Sequence, residues 1–328
     1  MDLDRILILQ TKRIGDLVLT APLVAALREQ LPDVELTLLA QGVAGRLAPL
    51  IPGLDRWLVL QPRRFHPWPW LELWGREFDA AIDLSATDRS RLALEVSGAP
   101  VRVGFEKWQR RRLLGTGPIY NRPVPGAIGR RHIVEFFLST LDALGLEVPA
   151  SPPRAALKVP DDRPGMAVRL EELRRRGRLA VVHPGTTEPG KFWRPEAWAD
   201  TIGHLVERHG CQVLMSQGRG GMEDHHLDEI RRRLRVPLAI DEFCPLEDLV
   251  MWLQRSDITI GVDTGAMHIA ALARMKQVVL FTPKHAIQWA TPQPNARILT
   301  PAQGPDVIGI PLAEVTGAID ELLGGAGE

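Results

Sequence analysis

The chain has 328 residues, of which 45% are hydrophobic and 24% charged, and Lys+Arg balances Asp+Glu at 40 each. That composition fits a soluble globular protein of one to three domains with enough chain for two cores, and it gives no global electrostatic argument for nucleic acid. Cys211 and Cys244 lack metal-ligand spacing and read as free thiols in a reducing compartment. The opening "MDLDRILILQ" starts on acids rather than a basic region, and no apolar run reaches about 18 residues, so neither a signal peptide nor a membrane span is expected. The expected location is cytoplasmic, with peripheral contact to a membrane surface left open by way of a surface patch.

"RILILQ" (5–10) is a continuous apolar run, the pattern of a strand buried on both faces. The loop "TKRIGD" (11–16) follows, and "LVLTAPLVAALREQL" (17–31) predicts a helix from apolar residues at three- and four-residue spacing. A strand at 34–40, a short helix at "AGRLAPLI", and strands at 56–60, 78–85 and 101–105 come next, with the helix "RSRLALEVSG" before the last of them. An amphipathic helix is expected over 129–146, ended by Gly145 in a C-cap role. The segment that follows is rich in proline, which blocks regular structure. The expected organisation is an N-terminal domain over 1–150, a linker over 151–165 and a C-terminal domain over 166–328. In the second domain helices are expected at 166–177, 195–209, 222–235, 246–254 and 266–274, with a last one in "EVTGAIDELLGG". Strands alternate with them at 179–185, 212–218, 237–241, 258–263 and 277–282. Such alternation predicts an α/β fold with two doubly wound parallel sheets. Ligands bind beyond the carboxyl ends of such strands, in a cleft expected between the domains.

Three loops at strand ends carry the chemistry. "GTTEPGK" (185–191) reads G-x-x-x-x-G-K, most of a phosphate-cradling P-loop, but Phe192 stands where that motif needs Ser or Thr to hold magnesium. Pro195 reads as the first-turn proline of the next helix, which therefore starts too late for a P-loop. A phosphate site without metal remains, with Thr186 and Thr187 as donors and Lys191 as a point charge. "GVDTGAMHIAALA" (261–273) places Asp263, Thr264 and Gly265 at a strand-to-helix corner, with His268 in the first turn. A helix N-terminus offers free amides and the positive end of its dipole to an anion. The alternatives are an N-cap pair at Asp263 and Thr264 and a satisfied core histidine at His268. In "TKRIGD", Asp16 is either a helix cap or a general base for an incoming hydroxyl.

Nine tryptophans stand against one tyrosine, and Trp68, Trp70 and Trp74 cluster in "HPWPWLELW". They read as a packed helix start or as a rim for an amphiphilic or sugar-bearing substrate. Arg63, Arg64, Arg89, Arg91, Arg130 and Arg131 fall in loops or helix starts of the first domain, where they are exposed arginines or contacts for an acidic acceptor.

Taken together, Gly15-Asp16, the H-P-G-x-x-x-x-x-K-x-W run from His183 to Trp193, and the D-T-G-x-x-H-x-A run from Asp263 to Ala270 resemble, in this order, the ADP-heptose:lipopolysaccharide heptosyltransferases, glycosyltransferase family 9. The resemblance implies a GT-B fold of two Rossmann-like domains, acceptor on the first and nucleotide sugar on the second, with a last helix able to cross back to the first. It implies an inverting transferase, with no metal or other cofactor, that moves heptose from an ADP-sugar donor to a saccharide or lipopolysaccharide-precursor acceptor, most simply the inner core. Asp16 and Lys191 are then catalytic. Thr186, Thr187, Lys191, Glu223, Asp263, Thr264, Gly265 and His268 bind the donor, with Glu223 on the ribose, Asp263 on heptose hydroxyls and the 243–248 turn against adenine. Outside the resemblance, the candidates for the acceptor are Lys12, Arg13, Arg63, Arg64 and Arg130; Lys12 and Arg13, beside Asp16, are not demanded by the family and serve an acidic acceptor or the donor phosphate. "LFTPKHAIQW" departs from the family run, and no contact is carried over to it. The rival readings are a nucleotide-sugar 2-epimerase of the same fold and a non-catalytic nucleotide-sugar-binding protein.

Overall fold

The computed structural model describes residues 3–63, 66–126, 131–218 and 220–324, and the chain divides into two compact units, Met1–Lys158 and Val159–Glu328. The first unit runs β1 (Arg5–Gln10), α1 (Ile14–Val18), α2 (Ala21–Gln30), β2 (Glu35–Gln41), β3 (Arg56–Leu60), α3 (Trp68–Gly75), β4 (Ala80–Asp83), α4 (Asp88–Val96), β5 (Val101–Phe105), β6 (Arg122–Val124) and α5 (Ile133–Leu138). The second runs α6 (Pro164–Arg174), β7 (Leu179–His183), α7 (Pro195–His209), β8 (Gln212–Met215), α8 (Gly221–Arg231), β9 (Ile240–Asp241), α9 (Leu246–Arg255), β10 (Ile258–Val262), α10 (Gly265–Leu272), β11 (Gln277–Leu280), α11 (Pro283–Trp289), β12 (Ala296–Leu299) and α12 (Leu312–Gly324).

Each unit holds one six-stranded sheet, in the order β3-β2-β1-β4-β5-β6 and β12-β11-β10-β7-β8-β9. All the strand pairs in both sheets are parallel. Renumbered within its unit, the second order is the first read from the other edge, so both are Rossmann windings. Their strand order reverses between β1 and β4, and between β7 and β10, the points at which such sheets bind ligands. The central strands are buried on both faces, as continuous apolar runs demand: Ile6, Leu7, Ile8 and Leu9 are fully buried, and so are Ile258, Ile260 and Val262.

The differences from the sequence expectations have local causes. The helix expected over 17–31 is two helices, because Pro22 at the start of α2 has no N–H to continue the ladder from α1. The first of them begins at Ile14, which puts Asp16 inside its first turn. The helix expected over 129–146 is α5 plus a 3₁₀ turn at Asp142–Leu144. Ser139 and Thr140 donate their hydroxyls to the Phe136 and Phe137 carbonyls at the break. The short strands β6 and β12 and the helix α11 fall where the sequence pattern predicts no element. The closing helix α12 buries Val315, Ile319, Leu322 and Leu323 in the core of its own unit.

Under the switch point of the first unit lies a buried polar network. Asp83, fully buried at the end of β4, accepts from the Ser85 and Ala86 amides at 2.9 Å each, from Ser90 Oγ at 3.1 Å and from the Tyr120 hydroxyl at 2.9 Å. Gly104 makes room for that tyrosine, since a Cβ there would come within 2.3 Å of its ring. The Thr11 amide donates to Ser85 Oγ at 2.6 Å, and the Thr11 and Thr87 hydroxyls lie 2.7 Å apart, so the β1–α1 loop is tied to the β4–α4 corner. Burial raises the Asp83 pKa against the pull of its four donors. Asp83→Ala orphans those donors and is expected to cost about 3 kcal/mol or more of stability, read by urea unfolding. A loss below about 1 kcal/mol would show the network to be incidental.

Candidate functional site at the strand ends

In the second unit the chain leaves β7 at His183 and β10 at Val262, neighbouring strands with Gly261 opposite His183. Both loops turn toward one buried cation. Lys191 is only 7% exposed, and its Nζ lies 2.8 Å from Asp263 Oδ2, donates to the Asp263 carbonyl at 3.2 Å and lies 3.3 Å from Glu188 Oε2. Asp263, equally buried, has His268 Nε2 3.5 Å from Oδ1 and His285 Nδ1 3.2 Å from Oδ2, the latter out of line for a hydrogen bond. Burial works to raise the Asp263 pKa, but the two imidazoles and the Lys191 charge outweigh it and hold the carboxyl well below the usual range. The Asp263 oxygens are thus taken up by Lys191 and the two histidines.

Thr264 is the N-cap of α10 in extended backbone, but its side chain makes no capping bond. Its Oγ1 is buried without a partner, beside the free amides of the helix start. The cap alternative for its hydroxyl is therefore not realised, while His268 is buried and faces the Asp263 carboxylate, as a satisfied core histidine would. Thr186 is buried and its Oγ1 accepts from the Glu188 amide at 3.1 Å, leaving its proton to donate, whereas Thr187 is exposed. Glu223, near the start of α8, is buried against the same loop. A Cβ on Gly185 would fall 2.0 Å from its Oε1, so only glycine admits this carboxylate. Glu223 Oε1 accepts from the Gly218 amide at 2.7 Å, and burial raises its pKa against that bond. The structure thus brings Lys191, Asp263, Thr264, Gly265 and His268 together, with Glu223 on the backbone of the Gly185 loop. The partners that sequence reasoning missed are Glu188 and His285. Glu188 stood in the quoted loop, while His285 follows β11 in the run that departs from the family pattern.

In the first unit Arg13 is the exposed N-cap of α1 and Asp16 is half-buried in its first turn. Lys12 Nζ stands 4.4 Å above the Trp108 ring, which meets Phe105 edge-on at 5.2 Å. Burial lowers the Lys12 pKa, opposed by the charges of Asp16 and Asp83. Arg63 lines a pocket of about 350 Å³ with Gln61, Pro62, His66, Trp70 and Arg89, and Arg89 donates to the Pro62 carbonyl. Arg64 and Arg130 lie outside the described residues. On α3, Trp68, Leu71 and Trp74 are 60%, 55% and 76% exposed. At helical spacing they form one apolar arc, while Pro69 and Leu73 face the core.

The model of glycosyltransferase family 9 (heptosyltransferase) matches residues 70–306. Lipopolysaccharide heptosyltransferase 3 of Escherichia coli K12 is 23% identical over 288 residues, covering 84% of this chain and 81% of that protein. Among solved structures, a glycosyltransferase family 9 protein of Veillonella parvula superposes with a TM-score of 0.82 at 18% identity over 99% of both chains. The ADP-heptose lipopolysaccharide heptosyltransferase II of Escherichia coli gives 0.80 at 18% identity over 98% of this chain and 99% of that one. These likenesses establish the GT-B fold.

A depressed carboxyl contributes stability that is present above its unfolded pKa and lost as pH falls. Wild-type protein is therefore expected to lose the Asp263 contribution as pH drops below about 4. Asp263→Asn leaves the buried ammonium short of its main partner and should cost about 3 kcal/mol at neutral pH. Its stability should then fall less steeply across the acid window. Parallel wild-type and variant slopes in pH-dependent chemical unfolding would remove the assigned ion pair.

Proposed function

The chain belongs to glycosyltransferase family 9, the heptosyltransferases, and on that premise we propose that it transfers a heptose from ADP-heptose to a hydroxyl of the lipopolysaccharide inner core, with inversion and without a metal ion. The observation that carries this reading is the meeting of buried Lys191 with the open N-terminus of α10, where Thr264 Oγ1 has no partner. A diphosphate satisfies all three: it supplies charge to the lysine, acceptor oxygens to the amides, and an acceptor to the hydroxyl.

In this mechanism Asp16 takes the proton of the acceptor hydroxyl. The freed oxygen forms its bond to the anomeric carbon on the face opposite the nucleotide. The bond from that carbon to the β-phosphate oxygen breaks, and ADP departs with the electron pair. Charge grows on the diphosphate in an oxocarbenium-like transition state. Lys191, the hydroxyls of Thr186 and Thr187, and the amides of Thr264 and Gly265 stabilise it, which is the work an oxyanion site performs. Asp263 and His268 hold the lysine and the corner in place, and Glu223 receives ribose hydroxyls. On the acceptor side Lys12, Arg13 and Arg63, with Arg64 and Arg130 from the sequence, answer phosphate or carboxylate on the sugars. No helix among the described residues is long and apolar enough to cross a membrane. The reading places the protein in the cytoplasm at the inner face of the membrane, which the apolar arc of α3 would touch.

Calorimetry with ADP, UDP and GDP in excess EDTA tests the donor: ADP alone should bind. Lys191→Ala should weaken ADP roughly 10- to 100-fold. Asp16→Asn should lower turnover with ADP-heptose and acceptor about 10²- to 10⁴-fold while leaving ADP affinity unchanged. Full activity in Asp16→Asn would remove the base, selective binding of UDP or GDP would overturn the donor, and free nucleotide released without an acceptor would return the protein to an epimerase.

A further inference from the structure

Away from the strand ends, α7 and α12 bring together three metal-ligating side chains that the transfer does not use. Asp320 Oδ1 of α12 lies 2.7 Å from His204 Nε2 and 2.7 Å from His209 Nε2, both of α7. The two imidazoles stand 5.3 Å apart, centroid to centroid, at 67°. One ligand atom from each of the three residues falls within 4.8 Å of the other two. His209 is the last residue of α7, and at about 1.5 Å of rise per residue it sits roughly 20 Å along the helix from Pro195, the end that adjoins the Lys191 loop. The cluster is therefore separate from the donor site.

We propose that His204, His209 and Asp320 bind a divalent transition-metal cation, zinc foremost, which straps the closing helix α12 to α7. Two imidazoles and one carboxylate suit zinc, nickel or copper and discriminate against magnesium and calcium, which prefer all-oxygen sets. The side chains are 20%, 10% and 34% exposed, so the site is walled on one side and open to a water ligand on the other. Tetrahedral zinc, with bonds of about 2.0–2.2 Å, sets its donor atoms about 3.3–3.5 Å apart. Asp320 must therefore retreat by less than about 1 Å from each nitrogen, which its exposed edge permits. At 2.7 Å from the carboxylate each Nε2 carries the proton that bonds Asp320 Oδ1, so metal binding moves that proton to Nδ1 or releases it to water and frees the Nε2 lone pair. Arg208 Nε also touches Asp320 Oδ1, at 3.2 Å, but its side chain is 64% exposed and has solvent to turn into as the cation arrives. Because the unfolded chain cannot assemble this set, the cation would stabilise the folded unit by linkage.

The test uses untagged full-length protein, stripped with EDTA and dialysed. It is titrated with zinc chloride by calorimetry and with cobalt chloride by visible absorption. One equivalent of zinc should bind and raise Tm, and cobalt should give the intense d–d bands of a low-coordinate nitrogen and oxygen site. His204→Gln and Asp320→Asn keep hydrogen-bonding groups and should fold, as circular dichroism will report. Each should weaken zinc at least about tenfold and abolish the Tm shift and the cobalt bands. Absence of stoichiometric binding would overturn the proposal. Binding that both variants leave unchanged would overturn it equally, by placing the cation on other histidines. Either result would leave the three side chains a hydrogen-bonded cluster only.

Discussion

A buried ammonium has to be answered by opposite charge, and in the second unit that requirement organises the whole strand-end surface. An isolated cation in a low-dielectric interior is far too costly to persist. Lys191 persists because Asp263 offers it both a carboxylate oxygen and a backbone carbonyl, with Glu188 at the rim. Asp263 carries the same obligation, and His268 and His285 discharge it. The loop after β7, the corner between β10 and α10, and the start of α11 are therefore bound by one charge network, and Met267 of α10 also packs in a hydrophobic cluster with Ala286 and Trp289 of α11. The placement of Thr264 and Gly265 at the mouth of α10 follows from where Asp263 is pinned.

The first unit has the same winding and resolves its own buried charge differently. There the carboxylate comes first: Asp83 is enclosed at the end of β4 and satisfied by two amides and two hydroxyls. The cation, Lys12, sits outside this nest over the Trp108 ring. Two equivalent sheet architectures thus present different surfaces, one with a lysine sunk among carboxylates and the other with a half-exposed lysine and Asp16 on a short helix. Shared winding fixes where a site forms, and the side chains at the strand ends decide what it can hold.

Much of this was legible because it is local. Continuous apolar runs mark the central strands, and Gly and Pro punctuate the loops, so Lys191, Asp263, Thr264, Gly265 and His268 could be placed at strand ends from spacing alone. Partnerships across the fold were not. His285 stands in "TPKHAIQW", where nothing adjacent in sequence points back to Asp263. Asp83 reads as the end of an apolar strand, and Tyr120, its partner, lies 37 residues on. Glu223 is assigned from sequence by family resemblance alone, and its packing is not legible there: its carboxylate fills the space that a Cβ on Gly185 would take. The helices over 17–31 and 129–146 are shorter than their apolar spacing because that spacing outlasts the backbone ladder: Pro22 interrupts one, and hydroxyls that bond to the preceding carbonyls mark the end of the other.

The charge count at Lys191 also bears on how a diphosphate could be held and let go under the proposed reading. The lysine already stands beside two carboxylates, so a diphosphate brings further negative charge to a corner that is locally acidic. Coulomb repulsion from Asp263 and Glu188 then opposes the attraction of a single ammonium. Net binding needs a second source of positive potential, and the amides at the start of α10, with the unpartnered Thr264 hydroxyl, supply it without adding a counter-ion. Of the two carboxylates, Asp263 is buried and clamped, whereas the Glu188 side chain is 30% exposed and can swing into water. Under the proposed reading Glu188 would be the group that yields to the anion, with Asp263 keeping the lysine aimed. Such an exchange would let the proposed site hold a leaving diphosphate firmly enough to stabilise its growing charge and still release it as product.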